Sequence, residues 1–326
     1  MLAGAGAVLA LTRSFEARRI DGQVVFITGG SRGLGLALAL EYARRGAAIA
    51  ICGRDPRSLE RAAQRIEESG AAAFTVQCDV RNAAEISDAL VRAYERFGRL
   101  DLLVNNAGTI QVGPSDSMTR EDYHDSLSTH FWALHDAVEA AVPLFERHGG
   151  GRIVNITSIG GKVSVPHLLP YCVGKFAAVG YSEGLRAALR RKNIIVTTVV
   201  PGLMRTGSPR NAWFKGQHRK EYAWFSLADA LPGLSVSASS AAKTIASASL
   251  RGAPEIVVSP QAKMLVLLNG LAPSLLLRAF ELADRFLPQA GGIGQAKALG
   301  VESASGITES PLMHLSKKAE REYNQQ

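Results

Sequence analysis

Short apolar runs alternate with longer amphipathic stretches over most of the chain. Runs rich in Val and Ile that end at Gly, Asp or Asn are typical of buried strands, and apolar residues at helical spacing predict helices between them. The predicted strands begin at Gln23 and then span 48–52, 73–78, 100–104, 152–157, 194–200 and 255–258. Predicted helices follow the first strand and then span 56–69, 83–97, 120–146 and 170–191. This alternation predicts a single α/β domain built on a doubly wound parallel sheet.

A glycine-rich turn follows the first predicted strand. Gly29, Gly33 and Gly35 have the spacing G-x-x-x-G-x-G, and no Gly-Lys-Ser or Gly-Lys-Thr follows, which excludes a Walker A loop. Because glycine has no Cβ, such a turn brings backbone N–H groups and the start of a helix against a pyrophosphate. We therefore predict a dinucleotide site at this turn.

The end of the second predicted strand bears on which dinucleotide binds. An acidic residue there usually bonds the ribose hydroxyls of NAD, whereas an arginine accommodates the 2′-phosphate of NADP. Here Gly53 and Arg54 follow the strand, and Arg32 lies in the glycine turn. Two guanidinium groups can bracket a phosphate, which favours NADP(H) over NAD(H). The alternative is that Arg54 only solvates a helix start, because Asp55 and Pro56 resemble an N-cap and a first helical residue.

Ser158, Tyr171 and Lys175 are the candidate catalytic residues. Tyr171 and Lys175 are four residues apart, which places them on one face of the predicted helix. A nearby ammonium favours the phenolate, so we expect Lys175 to lower the pKa of Tyr171 and make it a usable general acid and base. Ser158 emerges at the carboxyl end of a predicted strand, where open α/β sheets bind ligands. A Tyr-x-x-x-Lys spacing alone is common by chance, so the rest of the chain has to support it.

Several motifs in a fixed order provide that support. They are Thr28 through Gly35, Asp79, Asn105-Asn106-Ala107-Gly108, Ser158, Tyr171-x-x-x-Lys175, and Pro201-Gly202 through Thr206. Together, over roughly residues 20 to 260, they resemble the short-chain dehydrogenase/reductase family. The resemblance implies a Rossmann-type fold and an oxidoreductase that interconverts a carbonyl and a secondary alcohol, for which the arginines above favour NADP(H).

By this resemblance, Tyr171 is the proton donor and acceptor, Ser158 holds the substrate oxygen, and Lys175 bonds the nicotinamide ribose. Asp79 lies by the adenine, and Thr206 meets the carboxamide. The predicted cofactor-binding residues are Gly29, Ser31, Arg32, Gly33, Leu34, Gly35, Arg54, Asp79, Val80, Asn105, Asn106, Ala107, Gly108, Tyr171, Lys175, Pro201, Gly202 and Thr206.

One position departs from the family pattern. The family commonly has an asparagine in the long helix, where it holds a water that relays protons to the lysine, and in this chain that place falls on His130. An imidazole both donates and accepts hydrogen bonds, so we predict that His130 is a catalytic substitute for the amide. Two alternatives stay open: a histidine without a catalytic role, and a catalytically weak regulatory or scaffold protein that keeps the dinucleotide-binding fold.

Aromatic and basic residues are interleaved after Pro201. The aromatic ones are Trp213, Phe214, Tyr222, Trp224 and Phe225, and the basic ones are Lys215, His218, Arg219 and Lys220. In the resembling fold this insertion covers the substrate. An apolar lid with a basic edge suits a bulky lipid-, acyl- or steroid-like substrate, with or without an anionic end. Packing of the aromatic residues in a core is the equally open alternative.

Residues 261–326 extend beyond the usual family length. Two strongly apolar stretches there are interrupted by Asn269, Gly270 and Pro273, so no continuous membrane span exists. We predict a helical pair that packs on the lid or on a subunit neighbour, and peripheral contact with a membrane surface is the alternative. From Gly291 onward we predict a mobile tail. The predicted units are an N-terminal arm (1–20), a catalytic domain (21–260), and a helical extension with a tail (261–326).

The formal charge of +8 changes this picture little. The basic residues are spread along predicted helices with acidic residues between them, which favours a solvated surface over a nucleic-acid partner. The three cysteines lack metal-ligand spacing, which indicates reduced core thiols, no metal site and a cytoplasmic protein. No basic residue precedes the apolar N-terminal run, which argues against a secretory signal. The resemblance further implies a homodimer or homotetramer.

Overall fold

A seven-stranded parallel sheet forms the centre of the computed structural model, which describes residues 19–230, 235–306, 308 and 314–326. In chain order the strands are β1 (Val24–Thr28), β2 (Ala48–Gly53), β3 (Ala73–Gln77), β4 (Leu102–Asn105), β5 (Gln111–Val112), β6 (Gly151–Ile156), β7 (Ile194–Val200), β8 (Met204–Arg205), β9 (Trp213–Phe214), β10 (Val236–Ser237), β11 (Glu255–Val257) and β12 (Ala298–Leu299). The central sheet has the order β3-β2-β1-β4-β6-β7-β11. Every neighbouring pair in it is parallel, so the predicted doubly wound fold is confirmed. The predicted N-terminal arm lies almost wholly outside the described residues.

Helices cover both faces of this sheet. In chain order they are α1 (Gly33–Arg44), α2 (Pro56–Glu68), α3 (Ala83–Phe97), α4 (Arg120–Leu127), α5 (Ala133–Glu146), α6 (Leu169–Ala188), α7 (His218–Ala230), α8 (Ala238–Arg251), α9 (Pro260–Leu271), α10 (Pro273–Asp284) and α11 (His314–Glu322). One core contains residues of α1, α2 and α8, and the other contains residues of α3, α5 and α6. The strand order reverses between β1 and β4, which leaves a crevice at their carboxyl ends where such folds bind ligands.

Strand β1 shows why the apolar runs located the sheet. Val25 and Ile27 belong to the core that contains α1 and α8, whereas Phe26 belongs to the core that contains α3 and α5. All three side chains are fully buried, because a parallel sheet is covered on both faces. Burial of such a side chain contributes about 1.5–3 kcal/mol of stability. The cysteines are free and buried, as predicted: Cys52, Cys78 and Cys172.

Predicted and observed boundaries mostly differ by one or two residues, and β7 and α3 match their predicted ranges. The main difference lies in the long helix predicted at 120–146. It is divided into α4, a π-helical turn at Ser128–Trp132, and α5. Such turns insert one extra residue into a helix and are frequent at functional sites. His130 lies in this one.

A chain of buried hydrogen bonds crosses the sheet close to its carboxyl ends. Asn105 on β4 donates from Nδ2 to Oδ1 of Asn155, its partner on β6, over 2.9 Å. Asn155 in turn donates to Oγ of Ser182 on α6 over 2.9 Å, and Ser182 bonds Thr198 on β7 over 2.7 Å. Each of these three hydrogen bonds replaces one that the buried groups lose with water.

Helices α9 and α10 form the predicted helical pair, which we call the hairpin. The hairpin packs on the rest of the protein only in part. Each of its two helices has one buried residue, Ala262 in α9 and Leu276 in α10. Its exposed large apolar side chains, with that of Phe286 just beyond α10, are Met264, Leu267, Leu268, Leu271, Leu275, Leu277, Leu282 and Phe286. None of the helices in the described part of the chain is long and apolar enough to cross a membrane.

For the described residues after Gly291, the prediction of a mobile tail is wrong. This part of the chain forms β12, which pairs with β9 in a small sheet that also contains β5. It then forms α11, which contributes Ala319 to the core of α1 and α8, as does Tyr323 just after it. Contacts with residues far away in the sequence therefore order a stretch whose composition resembles a tail.

Candidate active site

The turn after β6 and the start of α6 bring the three predicted catalytic residues together. Ser158 lies just beyond the end of β6, and its Oγ accepts a hydrogen bond from the N–H of Gly160 over 3.0 Å. Helix α6 has a proline in its first turn, where the missing N–H has no intrahelical partner to lose. Tyr171 and Lys175 then lie one turn apart on α6, as predicted.

Two glycines allow the serine turn to lie against α6. A Cβ at Gly160 would come within 3.1 Å of a ring carbon of Tyr171, and a Cβ at Gly161 would come within 2.6 Å of the carbonyl oxygen of Lys175. A larger residue at 161 would therefore push the turn away from the helix. This Gly-Gly pair follows Ser158 closely in the sequence and is a feature that the predicted site did not include.

Burial raises the pKa of Tyr171 to about 12, and its hydrogen bond with Ser158 offsets part of that rise. The prediction that Lys175 lowers this pKa is therefore wrong for this structure. The Lys175 ammonium lies 5.8 Å from the centroid of the Tyr171 ring and donates to the carbonyl oxygen of Ile156 over 3.0 Å. Burial also lowers the pKa of Lys175 to about 7, so only part of the lysine population is charged at neutral pH.

His130 is buried in the π turn with 3% of its surface exposed. Its Nε2 lies 2.9 Å from the carbonyl oxygen of Thr109, so Nε2 carries a proton and Nδ1 of the neutral ring is an acceptor. Within the described residues, that Nδ1 has no hydrogen-bond partner. The imidazole packs edge-to-face against Tyr171, with 5.2 Å between ring centroids. Burial and the charge of Lys175 lower the pKa of His130 well below its usual value.

His130 and Lys175 share a small cavity of about 10 Å³. Its other lining residues include Thr28, Val80 and Asn105. The Oδ1 atom of Asn105 is a second buried acceptor without a partner in the described part of the chain. The cavity has room for about one water molecule, and two acceptors and one ammonium are suitable partners for it.

The glycine turn has the close packing that a dinucleotide site requires. A Cβ at Gly35 would stand 2.2 Å from the carbonyl oxygen of Gly29, and the φ angles of Gly29 and Gly33 are 63° and 57°. Side chains rarely tolerate either condition. Helix α1 begins at Gly33, so its first N–H groups have no partner within the helix. The residues of this turn fit a pyrophosphate, and Ser31, Arg32 and Leu34 lie within it.

The predicted turn at 105–108 is bonded directly to the glycine turn. Oγ1 of Thr28 accepts hydrogen bonds from the backbone N–H groups of Asn106 and Ala107 over 2.9 and 3.0 Å. Nδ2 of Asn106 donates to the carbonyl oxygens of Thr28 and Gly29, each over 3.1 Å. The Asn106 amide therefore holds two strand ends together at the crevice.

Guanidinium groups gather at the ends of β2 and β3. Burial and the neighbouring charge of Arg54 lower the pKa of Arg32, so these two predicted residues are close to one another. Hydrogen bonds from Arg81 lower the pKa of Asp79. In this ion pair, Nη2 of Arg81 lies 2.7 Å from Oδ2 of Asp79. Arg81 was absent from the predicted site. Asp55 accepts hydrogen bonds from two backbone N–H groups of α2, so its predicted N-cap role is confirmed and is compatible with a phosphate role for Arg54.

Pro201, Gly202 and Thr206 follow β7 on the other side of the crevice. The carbonyl oxygen of Pro201 accepts a hydrogen bond from the N–H of Ile159 over 2.7 Å, which ties this segment to the serine turn. A Cβ at Gly202 would come within 2.6 Å of the hydroxyl of Ser259, the N-cap of α9. Thr206 is buried and accepts the N–H of Ser208.

An apolar cluster borders Tyr171 on the lid side. It contains Val112, Leu168, Cys172, Phe214, Tyr222 and Phe225, with Tyr171 packed against it. The core-packing alternative is therefore confirmed for Phe214, Tyr222 and Phe225, with Trp224 packed against them, and the core that they form lies beside the Tyr171 phenol. Lys215 does not belong to a basic edge, because its buried ammonium lies 2.6 Å from a carboxylate oxygen of Asp122.

Two groups near the site were not predicted. His167, with a φ of 61°, bonds the buried carboxylate of Glu221 over 2.9 Å, and the same carboxylate accepts a hydrogen bond from Nε1 of Trp224 over 2.7 Å. This group joins the loop before α6 to α7. Residues 323–325 lie directly on the glycine turn. Both contacts span long sequence separations, for which a motif gives no indication.

Comparison with known proteins agrees with this geometry. Residues 23–215 match the family model described as short chain dehydrogenase. The chain is 34% identical over 189 residues to a putative ketoacyl reductase of Streptomyces coelicolor, which covers 57% of this chain and 72% of that protein. It is 30% identical over 213 residues to 17-beta-hydroxysteroid dehydrogenase 13 of Mus musculus, which covers 62% of this chain and 68% of that protein.

Two solved structures extend the comparison. A putative short-chain alcohol dehydrogenase from Sinorhizobium meliloti 1021 has a TM-score of 0.68 at 26% identity, covering 76% of this chain and 99% of that one. A 7 alpha-hydroxysteroid dehydrogenase complexed with NADH and 7-oxo glycochenodeoxycholic acid has a TM-score of 0.56 at 28% identity, covering 58% of this chain and 73% of that one.

The chain belongs to the short-chain dehydrogenase family. It is an NAD(P)-dependent oxidoreductase that interconverts carbonyl and alcohol groups. The matched residues contain the glycine turn, Ser158, Tyr171 and Lys175, whereas α7, the hairpin and α11 lie beyond the match.

Proposed function

We propose that this enzyme uses NADP(H) to interconvert a carbonyl and a secondary alcohol on a bulky apolar substrate. The observation that carries the proposal is that the Ser158 turn packs directly against Tyr171 on α6 at the carboxyl edge of the sheet, with Tyr171 also packed against the apolar cluster. The bound dinucleotide supplies the hydride in the reducing direction and accepts it in the oxidising direction.

Ser158 and Tyr171 act on the substrate oxygen. In the reducing direction the Ser158 hydroxyl donates a hydrogen bond to the carbonyl oxygen, and Tyr171 transfers its phenolic proton to it. A pKa of about 12 keeps that phenol protonated at neutral pH, as a general acid requires. In the oxidising direction the phenol must lose its proton before it takes one from the substrate alcohol, and the interaction with Ser158 is the one that lowers its pKa.

The cavity beside Lys175 is the proposed route by which the phenol regains its proton. One water there can accept a hydrogen bond from Lys175 and donate to Nδ1 of His130 or to Oδ1 of Asn105, both of which lack partners in the described residues. His130 thereby takes the place of the family's asparagine as the residue that positions the water. A neutral imidazole is required for this, and burial favours it.

The preference for NADP(H) rests on this chain's own residues, because one structural relative was solved with NADH. Burial and the charge of Arg54 lower the pKa of Arg32, so the two guanidinium groups lie close to one another, and Arg81 stands beside Asp79 at the same end of the sheet. A 2′-phosphate placed between these guanidiniums would form charge-assisted hydrogen bonds and relieve their mutual repulsion.

The substrate class rests on the lid. The buried cluster that contains Leu168, Phe214, Tyr222 and Phe225 packs against Tyr171, so the phenol has an apolar environment on this side rather than polar partners for sugar hydroxyls. The names of two relatives, a putative ketoacyl reductase and a 17-beta-hydroxysteroid dehydrogenase, are those of proteins with acyl and steroid substrates. An apolar ketone is therefore the substrate class that we assign.

Absorbance of the reduced nicotinamide tests the proposal. The panel contains an acyl ketone, a steroid ketone and a sugar aldehyde, each offered with NADPH and with NADH. We expect faster turnover with NADPH and with the apolar ketones. Turnover with the sugar alone would contradict the substrate class. Tight NADPH binding without turnover on any carbonyl, or on the matching alcohols with NADP⁺, would favour the regulatory or scaffold alternative.

The hairpin favours a second proposal, contact with an anionic lipid surface. Leu271 is 75% exposed and Phe286 is 83% exposed. The cations Lys263, Arg278 and Arg285 are exposed on or just beyond the same two helices. Apolar residues with interspersed cations suit the boundary between headgroups and acyl chains. The hairpin also lies next to the substrate side of α6, because Asp284 stands 3.5 Å from His167.

Sedimentation with vesicles of neutral or anionic lipid tests this contact. We expect the protein to sediment with anionic vesicles and the double variant Leu271→Ser/Phe286→Ser to remain in solution. Val301→Ser, which changes an exposed apolar residue outside the hairpin, is the matched control. Concentration-dependent self-association without vesicle binding would instead identify a second copy of the chain as the partner of the hairpin.

Exposed residues also support the proposal of a homodimer through the π turn and α6. Trp132, Val173 and Phe176 are 52%, 38% and 45% exposed on these elements. Light scattering during size-exclusion chromatography should show a dimer that Phe176→Glu dissociates and that Leu277→Glu on the hairpin leaves intact. A monomer at micromolar concentration would contradict the proposal.

A further inference from the structure

Residues 319–326, which we call the C-terminal strap, lie across the glycine turn. The carbonyl oxygen of Tyr323 accepts a hydrogen bond from the N–H of Gly33 over 2.8 Å. Nδ2 of Asn324 donates to the carbonyl oxygen of Ser31 over 3.2 Å. Nε2 of Gln325 is so close to Gly33 that a Cβ there would come within 2.7 Å of it. The strap therefore occupies the inner surface of the turn that fits a pyrophosphate.

Several contacts outside the turn hold the strap in place. Ala319 and Tyr323 are buried in the core that contains α1 and α8. Nδ2 of Asn211 donates to both the backbone oxygen and the side-chain oxygen of Gln325, over 3.0 and 2.8 Å. Nη1 of Arg65 donates to the carbonyl oxygen of Glu322. These partners lie on α2, α8 and the segment after β8, so the strap bridges both sides of the crevice.

The strap and a dinucleotide need the same groups. The N–H of Gly33 lies at the start of α1, where a pyrophosphate oxygen would accept its hydrogen bond, and the Tyr323 carbonyl oxygen already accepts it. A Cβ at Gly33 would also lie 3.9 Å from Cβ of Thr206, so Gln325 stands at the passage between the glycine turn and the segment after β7. The strap and a bound dinucleotide therefore cannot occupy this passage at the same time.

We infer that the strap is a built-in competitor of the dinucleotide, which binds only after residues 319–326 leave the glycine turn. The strap offers neutral carbonyl and amide groups at the turn, whereas a pyrophosphate forms charge-assisted hydrogen bonds with the same N–H groups. Displacement is therefore favourable at sufficient cofactor concentration. The observed affinity for the dinucleotide is the intrinsic affinity of the free turn multiplied by the fraction of molecules whose turn is free. The inference rests on dinucleotide binding at this turn.

Binding of NADPH to full-length variants, followed by calorimetry and by nicotinamide fluorescence, tests the inference. Asn324→Ala/Gln325→Ala removes the side-chain bonds to Ser31 and Asn211 and leaves the packing of Ala319 and Tyr323 unchanged. We expect its dissociation constant for NADPH to fall by roughly tenfold, since each neutral hydrogen bond accounts for about two- to tenfold in an equilibrium. Lys318→Ala, an exposed change on the same helix, should leave the constant unchanged.

A chain that ends at residue 313 provides the larger change. We expect it to bind NADPH at least as tightly as the double variant, provided that its thermal unfolding remains cooperative. If it fails to fold, the double variant still decides the question. Equal and tight binding by the full chain and the double variant would overturn the inference alone. No binding of NADPH or NADH by any folded variant would overturn it together with the dinucleotide site.

Limited proteolysis gives a readout that does not depend on affinity. Trypsin can cut after Lys317, Lys318 and Arg321, which lie on or beside the strap. Saturating NADPH should accelerate cleavage there, because α11 leaves the body of the protein, while cleavage after Arg251 at the end of α8 stays unchanged. Unchanged or slower cleavage at the strap in the presence of NADPH would overturn the inference.

Discussion

The catalytic edge and the hairpin distribute polar and apolar groups in opposite ways. At the catalytic edge, the ionisable residues Lys175 and His130 are only 5% and 3% exposed. On and beside the hairpin, the apolar residues Leu271 and Phe286 are 75% and 83% exposed. Both arrangements cost free energy, because buried ionisable groups lose hydration and exposed apolar groups forgo burial.

Such departures from an apolar interior and a polar surface occur where function requires them. At the catalytic edge, the result is a set of altered pKa values: raised for Tyr171, lowered for Lys175 and His130. On the hairpin, the result is an exposed apolar surface, on which the proposal of lipid contact rests. Substitutions at the first region should therefore change chemistry, and substitutions at the second should change association.

Tyr171→Phe should have the largest effect on turnover. It keeps the ring and removes the proton, so we expect turnover to fall by about 10²-fold or more while NADPH binding persists. Tyr181→Phe, on the same helix but away from Ser158, is the matched control and should remain within a few-fold of the parent. If the turnover of Tyr171→Phe also stayed within a few-fold of the parent, Tyr171 would have no role in proton transfer. The catalytic edge would then differ from the hairpin only in how deeply its residues are buried.

Arg54→Asp should have the next largest effect, on the choice of cofactor. Loss of one hydrogen bond to a charged group, worth about 1.5–3 kcal/mol, weakens NADPH binding by about 10- to 100-fold. NADH binding should change far less, because NADH lacks the 2′-phosphate. Arg57→Asp, an exposed change in the first turn of α2, controls for the general loss of positive charge. A parent that already prefers NADH would remove the NADP(H) assignment.

His130 variants should have a smaller effect that depends on pH. His130→Leu removes the acceptor Nδ1 and should lower turnover by about two- to tenfold, as expected for one hydrogen bond. His130→Asn should retain most activity. Because the pKa of His130 is lowered, its ring stays neutral down to a pH below 6.5, and activity that needs the neutral ring declines only below that value.

Turnover of the three proteins over one pH range separates the His130 effect from the titration of Tyr171 and Lys175. The acid decline should be present in the parent and absent in His130→Asn. Identical profiles for the parent and His130→Leu would make His130 a structural residue of the π turn.

Substitution of a hairpin leucine should have the smallest effect on stability. We expect Leu271→Ala to change the free energy of unfolding by about 0.5 kcal/mol or less, as for an exposed side chain. The same change at the fully buried Leu36 of α1 should cost about 2–5 kcal/mol. Urea denaturation measures both. A large loss at Leu271 would show that the hairpin is covered in solution, for instance by a second subunit.

The sequence was sufficient for the parts of the fold that local patterns encode. Val and Ile runs between glycine or asparagine turns located the strands, because a parallel sheet covered on both faces buries such runs. The spacing from Tyr171 to Lys175 placed both side chains on one helix face, because four residues make about one turn. The glycine turn was located because Gly29 and Gly35 meet conditions that other residues cannot meet.

The remaining features depend on distant contacts or on burial. The predicted effect of Lys175 on Tyr171 assumed a charged, nearby ammonium, and the structure has a buried lysine that bonds Ile156 instead. The strap contacts Gly33 through a backbone oxygen, which every residue has and no motif marks. Lys215 was predicted on a basic edge, but its side chain is buried in an ion pair with Asp122 on α4. The order of residues along the chain does not indicate which distant residues will contact one another in this way.

The buried hydrogen bonds from Asn105 to Thr198 have a consequence for folding. Because both faces of this sheet are covered, a strand of Val and Ile that slides by one residue still places apolar side chains on two buried faces, so the apolar runs alone discriminate poorly between alignments. A shift of β4 against β6 would separate Asn105 from Asn155 and leave buried amides unpaired, at a cost of about 1–3 kcal/mol for each group. Ser158 follows β6 and Asn106 follows β4. A shift of β4 against β6 would therefore break the amide pair and also displace these two residues of the candidate site from one another. Accuracy at the active site is thus set partly while the sheet assembles, before any ligand is present.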